Sequence, residues 1–224
     1  MPQCGRVVTI PNEEPAWKQR AVERSIKTAK LRAEQRVQKF LDAAQAIITE
    51  KGTTEFTVQE VVDRSKQSLR SFYLQFDGKH ELLLALFEDA LSRSADQIRA
   101  AASGQTEPID RLKVAVQLLF ELCRPDPAAK RPMFNNIAPQ LLLTHPSEVK
   151  IAYAPLLLLF AEFMESAAVA GQLRPDADPT RTASMTMQAV MFIAQSSGQD
   201  EARAAQPISS EEVWRFCATG FASS

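Results

Sequence analysis

The chain has 224 residues, 45% of them apolar and 24% charged, with a formal net charge of −1. A chain this long buries roughly 70% of the surface its unfolded form exposes, which excludes a scaffold dependent on disulfides or metal for its core. The charge is unevenly spread: residues 1–79 carry +4 and residues 80–224 carry −5, the pattern of a polyanion-facing end and a separate acidic body.

The first fifteen residues contain Pro2, Pro11 and Pro15 and predict irregular structure. They lack the long apolar stretch of a secretory signal, so a cytoplasmic location is expected. Helical periodicity begins near Trp17 and strengthens at Ala33. Lys18 to Lys39 is the densest basic run, with eight basic and two acidic residues. Val37, Phe40, Leu41, Ala44, Ile47 and Ile48 recur at three- and four-residue steps, as on one face of a helix. Gly52 ends it. Gly104, Gly171 and Gly198 follow later helical patterns and predict the same kind of stop.

A two-turn helix is predicted next. Thr57 and Glu60 match a capping box, in which each side chain satisfies the other's free backbone N–H, and Val58, Val61 and Val62 supply its buried face. After the turn at Lys66 and Gln67, Ser68 caps a second short helix reaching about Phe76. Two short helices joined by about four residues are the outline of a helix-turn-helix. With Phe72 and Phe76 inward, Arg70, Ser71 and Leu74 face away from the core and Tyr73 lies at its edge. Arg70 suits bidentate bonding to guanine. Tyr73, Gln75 and Thr57 suit phosphates, which set register and not sequence. Leu69 fits either the core or a thymine methyl.

A long helix is predicted from Lys79 to about Ala102. Lysine is an unusual opening residue, because a helix N-terminus is partly positive and disfavours cations by about 0.3–1 kcal/mol. The same terminus is a ready anion site, and a phosphate docked at Gly78–Lys79 would be held by both. The alternative is a tolerated lysine offset by Asp77 as a cap.

These residues resemble the TetR family of bacterial transcriptional regulators. The resemblance covers about Arg36 to Leu91 and rests on Gly52, Thr57-Val58, Ser68, Phe72-Tyr73, Phe76, Lys79 and Leu82. It implies an all-α chain: an N-terminal three-helix helix-turn-helix domain that binds double-stranded DNA, and a larger helical domain that binds a small effector and dimerises. It also implies that the family's phosphate-contacting tyrosine, lysine and first-turn threonine correspond to Tyr73, Lys79 and Thr57. With Gln67, Ser68, Leu69, Arg70 and Gln75 these form the candidate DNA surface. The turn departs from the family's glycine and apolar residue. Lys66 is expected to adopt a left-handed backbone, at a cost of order 1 kcal/mol, and Gln67 anchors the turn less well or adds a polar group at the groove. The expected boundaries are a basic extension over 1–32, the DNA-binding domain over 33–80 and the effector and dimerisation domain over 81–224.

Further helices are predicted over Pro108–Arg124, Met133–Leu143, Ser147–Ala170, Asp178–Gly198 and from a Ser209–Glu212 capping box to Phe221. Soft and aromatic side chains are the candidate lining for a small apolar effector: Phe120, Met133, Phe134, Phe160, Phe163, Met164, Met187 and Met191. Asn135, Asn136, Gln140 and His145 are the candidate polar contacts. The last two helices are apolar around more of their circumference than one core face requires, which predicts a homodimer. Met185, Val190, Phe192, Val213, Trp214, Phe216, Cys217 and Phe221 are its candidate interface. Cys123 and Cys217 fall on apolar faces and are expected to be inert thiols. With two histidines, no metal-spaced cluster, no G-x-S-x-G and no phosphate loop, neither a catalytic nor a metal site is expected, nor a cofactor. The longest apolar run contains Pro155 and is too short to span a bilayer. The competing reading is an all-α ligand-binding or adaptor protein with weakened DNA binding, suggested by the odd turn.

Overall fold

The computed structural model describes residues 15–124, 141, 143, 145–200 and 207–223. Among them are nine helices and no strand, with one isolated antiparallel bridge between Leu173 and Ala222. The fold is all-α. Its contacts divide the chain between Lys39 and Phe40.

The first helix, α1, spans Ala16–Lys51. Its residues before Phe40 are mostly exposed. There Lys30 and Glu34 pair one turn apart at 3.8 Å, and Thr28 donates back to the Arg24 carbonyl.

The second unit contains the remaining elements: α2 (Val58–Ser65), α3 (Leu69–Tyr73), α4 (Lys79–Ala102), α5 (Pro108–Cys123), α6 (Pro146–Ala152), α7 (Ala154–Val169), α8 (Pro179–Asp200) and α9 (Ser210–Phe221). At its amino end, Phe40 and Phe72 meet edge to face at 5.4 Å, and Phe76 lies 6.2 Å from Phe40. Each such pair adds about 0.5–1.5 kcal/mol beyond area burial. Between them they fasten the short α3 onto the C-terminal part of α1. Exposed ion pairs from Arg64 to Glu50 and from Lys51 to Glu60 tie α2 to the same part of α1.

α5 is the central helix of the body, packed by α4, α7, α8 and α9. Leu112, Ala115, Val116, Leu119, Phe120 and Cys123 are all buried on it. Gln172, in the loop after α7, accepts from the Ile109 N–H at 3.0 Å and donates to Glu107 at 2.9 Å, holding the start of α5.

The single helix expected over Ser147–Ala170 is two helices, α6 and α7, bent by 46°. Pro155 has no N–H to give Ile151, and its ring crowds that carbonyl, so the chain breaks at Tyr153. No single described helix is long and apolar enough to cross a membrane; only the bent α6–α7 pair passes on length and composition together. Two glycine stops also differ from expectation. α8 continues through Gly198 to Asp200, and α4 closes at Ser103 in right-handed geometry, with no left-handed glycine at Gly104. Gly52 and Gly171 do take positive φ, 67° and 69°.

Candidate nucleic-acid interface

The amino end of the second unit is assembled from local signals. Thr57 caps α2 with the full box: Glu60 N–H donates to Thr57 Oγ1 at 3.2 Å, and Thr57 N–H donates to Glu60 Oε2 at 2.7 Å. Lys51 bonds the other carboxylate oxygen at 2.5 Å. That lysine first, then the backbone N–H of Thr57, lowers the Glu60 pKa to about 2. The Thr57 hydroxyl also donates to Glu60 at 3.1 Å, so it is engaged within the box.

The turn between α2 and α3 is formed as the unusual residues require. Lys66 has φ 54° and ψ 36°, the left-handed region. Its N–H donates to the Asp63 carbonyl, and the Gln67 N–H donates to the Val62 carbonyl, both at 3.3 Å. This is the Schellman pattern, built with lysine where glycine is usual. Gln67 folds its amide back onto the Lys66 carbonyl at 3.1 Å and so closes the turn.

Ser68 caps α3 by accepting the Ser71 N–H at 3.1 Å. Phe72 and Phe76 are buried, and Arg70, Tyr73 and Leu74 are exposed. Leu69 is 44% exposed, which decides against the core for that side chain. Ser71 differs from expectation: its Oγ is enclosed and has no hydrogen-bond partner among the described residues. The Tyr73 ring stands edge-on to Phe72 at 5.4 Å, which steadies it while leaving it accessible. Gln75 is half-buried beside it.

At the start of α4, Asp77 does not cap. Gly78 is the N-cap residue, without a side-chain bond, and the Asp77 N–H instead donates to Glu81 at 2.5 Å. Lys79 holds its ammonium over the Phe56 ring, 4.8 Å from the centroid. This attraction, about 0.5–1 kcal/mol at exposed sites, offsets the unfavourable terminus. Gly78 is extended, and the space where a Cβ would stand is open, leaving the backbone approachable. Phe56 is the residue that sequence reasoning missed. It precedes the cap Thr57, and Val61 follows at the fourth helical position; both are buried. That spacing is a hydrophobic staple, a signal legible in the sequence.

In the body, Phe120, Phe160, Phe163, Met164, Met187 and Met191 are buried on α5, α7 and α8, which pack together. Met133, Phe134, Asn135, Asn136 and Gln140 lie outside the described residues. His145 lies against His80 of α4, ring centroids 5.8 Å apart. A cleft of about 240 Å³ opens elsewhere, between α1, α4 and α5, with Asp42, Asp89 and Arg93 among its lining; none of the expected pocket residues borders it. Burial pushes the Cys123 thiol up to about 12 and that of Cys217 to about 11, which makes them the inert thiols expected.

Of the expected dimer residues, Val190, Val213, Cys217 and Phe221 are buried within this chain, and Trp214 is half-buried against Phe221 at 6.1 Å. Met185, Phe192 and Phe216 are 66%, 72% and 66% exposed.

Residues 40–86 match the family described as bacterial regulatory proteins, tetR family. Over that segment, about a fifth of its length, the chain is similar to the TetR family. Over 70 residues it is 31% identical to an uncharacterized HTH-type transcriptional regulator, YvdT of Bacillus subtilis, covering 31% of this chain and 36% of that protein. Over 107 residues it is 27% identical to the HTH-type transcriptional activator FasR of Mycolicibacterium smegmatis, covering 48% of this chain and 49% of that protein. The match thus spans between a third and a half of these curated relatives. The fold is similar over a longer stretch to the transcriptional regulator FadR of Bacillus subtilis, solved with stearoyl-CoA: TM-score 0.63, 16% identity, 82% of this chain and 98% of that one. The matched segment contains the C-terminal part of α1, α2, the Lys66–Gln67 turn, α3 and the start of α4.

Proposed function

We propose that the protein is a sequence-specific DNA-binding transcriptional regulator, a homodimer that represses from an operator and is released by a small apolar effector. The observation that carries the reading is the exposed Arg70 and Tyr73 on α3, which ends at Tyr73, short of the expected Phe76, and is fastened from beneath by Phe72 and by Phe76 in the turn that follows. A recognition helix needs this division: a rigid apolar underside and polar groups free to reach base edges. Lys79 and the open backbone at Gly78 supply phosphate contacts beside it. Residues 33–80 would then be the reading domain and 81–224 the effector and dimerisation domain.

The apolar character of the effector rests on the aromatic and methionine side chains gathered where α5, α7 and α8 meet. FadR of Bacillus subtilis holds stearoyl-CoA, so fatty acyl thioesters are the first class to test. The adaptor reading drew its support from the Lys66–Gln67 turn. That turn is closed by two backbone hydrogen bonds, so the feature no longer favours it.

Selection of bound sites from random duplex DNA, followed by footprinting, tests the proposal. Wild type protects a palindromic site. Arg70→Ala loses about 1–3 kcal/mol and relaxes one base position. Tyr73→Phe weakens all sequences alike. Long-chain acyl-CoA added to the complex releases the DNA, and a reporter driven from the site is repressed without it. A protein that selects no duplex sequence overturns the proposal.

A further inference from the structure

The helix-turn-helix needs only the part of α1 that carries Phe40, Ala44 and Ile48. The family match begins at residue 40, yet α1 is already helical from Ala16. The preceding 24 residues extend about 36 Å as helix, close to one turn of duplex DNA. Their contacts set them apart as a unit of their own, and they carry eight of the chain's 26 basic residues.

The arrangement of those charges is not even. At 100° per residue, Arg20, Arg24, Lys27, Arg32 and Lys39 fall within an arc of about 140°. Glu23 and Glu34 lie outside that arc, and Glu34 is paired with Lys30. All five arc residues are exposed. We propose that this extension of α1 is a second DNA-contacting element, which lays its basic arc along the sugar-phosphate backbone and adds affinity without base preference. The inference rests on the regulator reading above and names an additional surface for the same partner.

Charge complementarity favours duplex DNA over the other polyanion, an anionic membrane. A helix lying in a bilayer interface needs one continuous apolar face opposite its cations. Here the large exposed apolar residues are split. Trp17 and Leu31 fall among the basic residues, while Val22 and Ile26 lie on the opposite side and are followed there by the small Ala29 and Ala33. With Val37 they form a stripe of about 80° bordered by Lys18, Arg36 and Lys30, too narrow and too short in side chain to enter lipid.

The test compares wild type with Arg20→Gln/Arg24→Gln/Lys27→Gln. Glutamine keeps helix propensity and removes charge. Binding to the selected operator, with flanks of at least one extra turn on each side, is measured from low to high salt. The expected result is a shallower dependence of log affinity on log salt, by about 0.9 for each phosphate that is no longer neutralised, with base preference unchanged. Shortening the flanks should erase the difference between the two proteins. Equal slopes on long flanks overturn the inference and leave the regulator reading intact. So does a variant that loses binding to phosphatidylglycerol vesicles while its DNA binding is unaltered. If wild type binds no duplex at all, the regulator reading falls and takes this one with it.

Discussion

Lys66 is where the residue scale is most informative. A lysine with φ 54° carries a Cβ that crowds the following carbonyl, at about 1–2 kcal/mol. The helix end nevertheless needs this conformation to satisfy its last carbonyls. Lys66→Gly should therefore raise unfolding stability by about 1 kcal/mol, seen as a higher urea midpoint at constant slope, whereas Lys66→Ala should shift it by only a few tenths. A glycine variant no more stable than the alanine one would mean that the left-handed turn carries no strain. The left-handed backbone was expected from the resemblance, whose turn carries glycine where Lys66 stands, and not from the local sequence alone. The partner of Lys79 was not readable, because Phe56 lies far back along the chain and only the folded second unit brings the ring beneath the ammonium. Its position there answers why a cation is tolerated at that helix start and still leaves the phosphate role open to the anion that would join it.

At the scale of elements, the strongest sequence signals were the caps, since a cap is settled within four residues. Both capping boxes, Thr57–Glu60 and Ser209–Glu212, are present, and Asp178 accepts the Arg181 N–H at 2.7 Å. The boxes have a consequence for acid stability. The Glu60 pKa falls from 4.5 unfolded to about 2 folded, and that of Glu212 moves the same way through its bonds to Ser209. A depressed carboxylate contributes stability that is fully present above the unfolded value and is lost as pH falls through the folded one. Glu60→Gln should thus be less stable than wild type near neutral pH, with the gap closing between pH 4.5 and about 2. Thermal midpoints taken across that window decide it; a gap that stays constant with pH would mean the carboxylate charge is irrelevant to the cap. Where elements turn on packing, the sequence was less legible. Pro155 was visible as a cause of a break, but the angle of the break needed the fold: Tyr153 sets its ring edge-on to Phe87 of α4 at 5.4 Å, and both helices pack on α4 while α7 also packs on α5 and α8.

For the whole molecule, the proposed function requires two copies of α3 to be held at the spacing of successive major grooves, about 34–36 Å. Apolar excess on α8 and α9 predicted a second buried face, but it could not divide their residues between core and surface, since that division depends on which helices pack on which side. Val190, Val213 and Cys217 are buried, on helices that both pack against α5. Met185 and Phe192 remain, two turns apart on one side of α8, with Phe216 on the neighbouring α9, and all three are largely exposed. Large apolar side chains aligned on one face are the usual centre of an interface between identical subunits. Glutamate at Met185 and Phe192 would face its own symmetry copy in such an interface, as a desolvated like charge. The double variant Met185→Glu/Phe192→Glu should sediment as a monomer with unchanged helicity. Its affinity for the full palindrome should fall by about 10²–10⁴, the advantage that linking two half-sites confers, while its affinity for an isolated half-site stays within a few-fold of wild type. A variant that remains dimeric would place the interface elsewhere on the chain. One that becomes monomeric yet grips the palindrome as tightly as before would show that the two reading heads act independently.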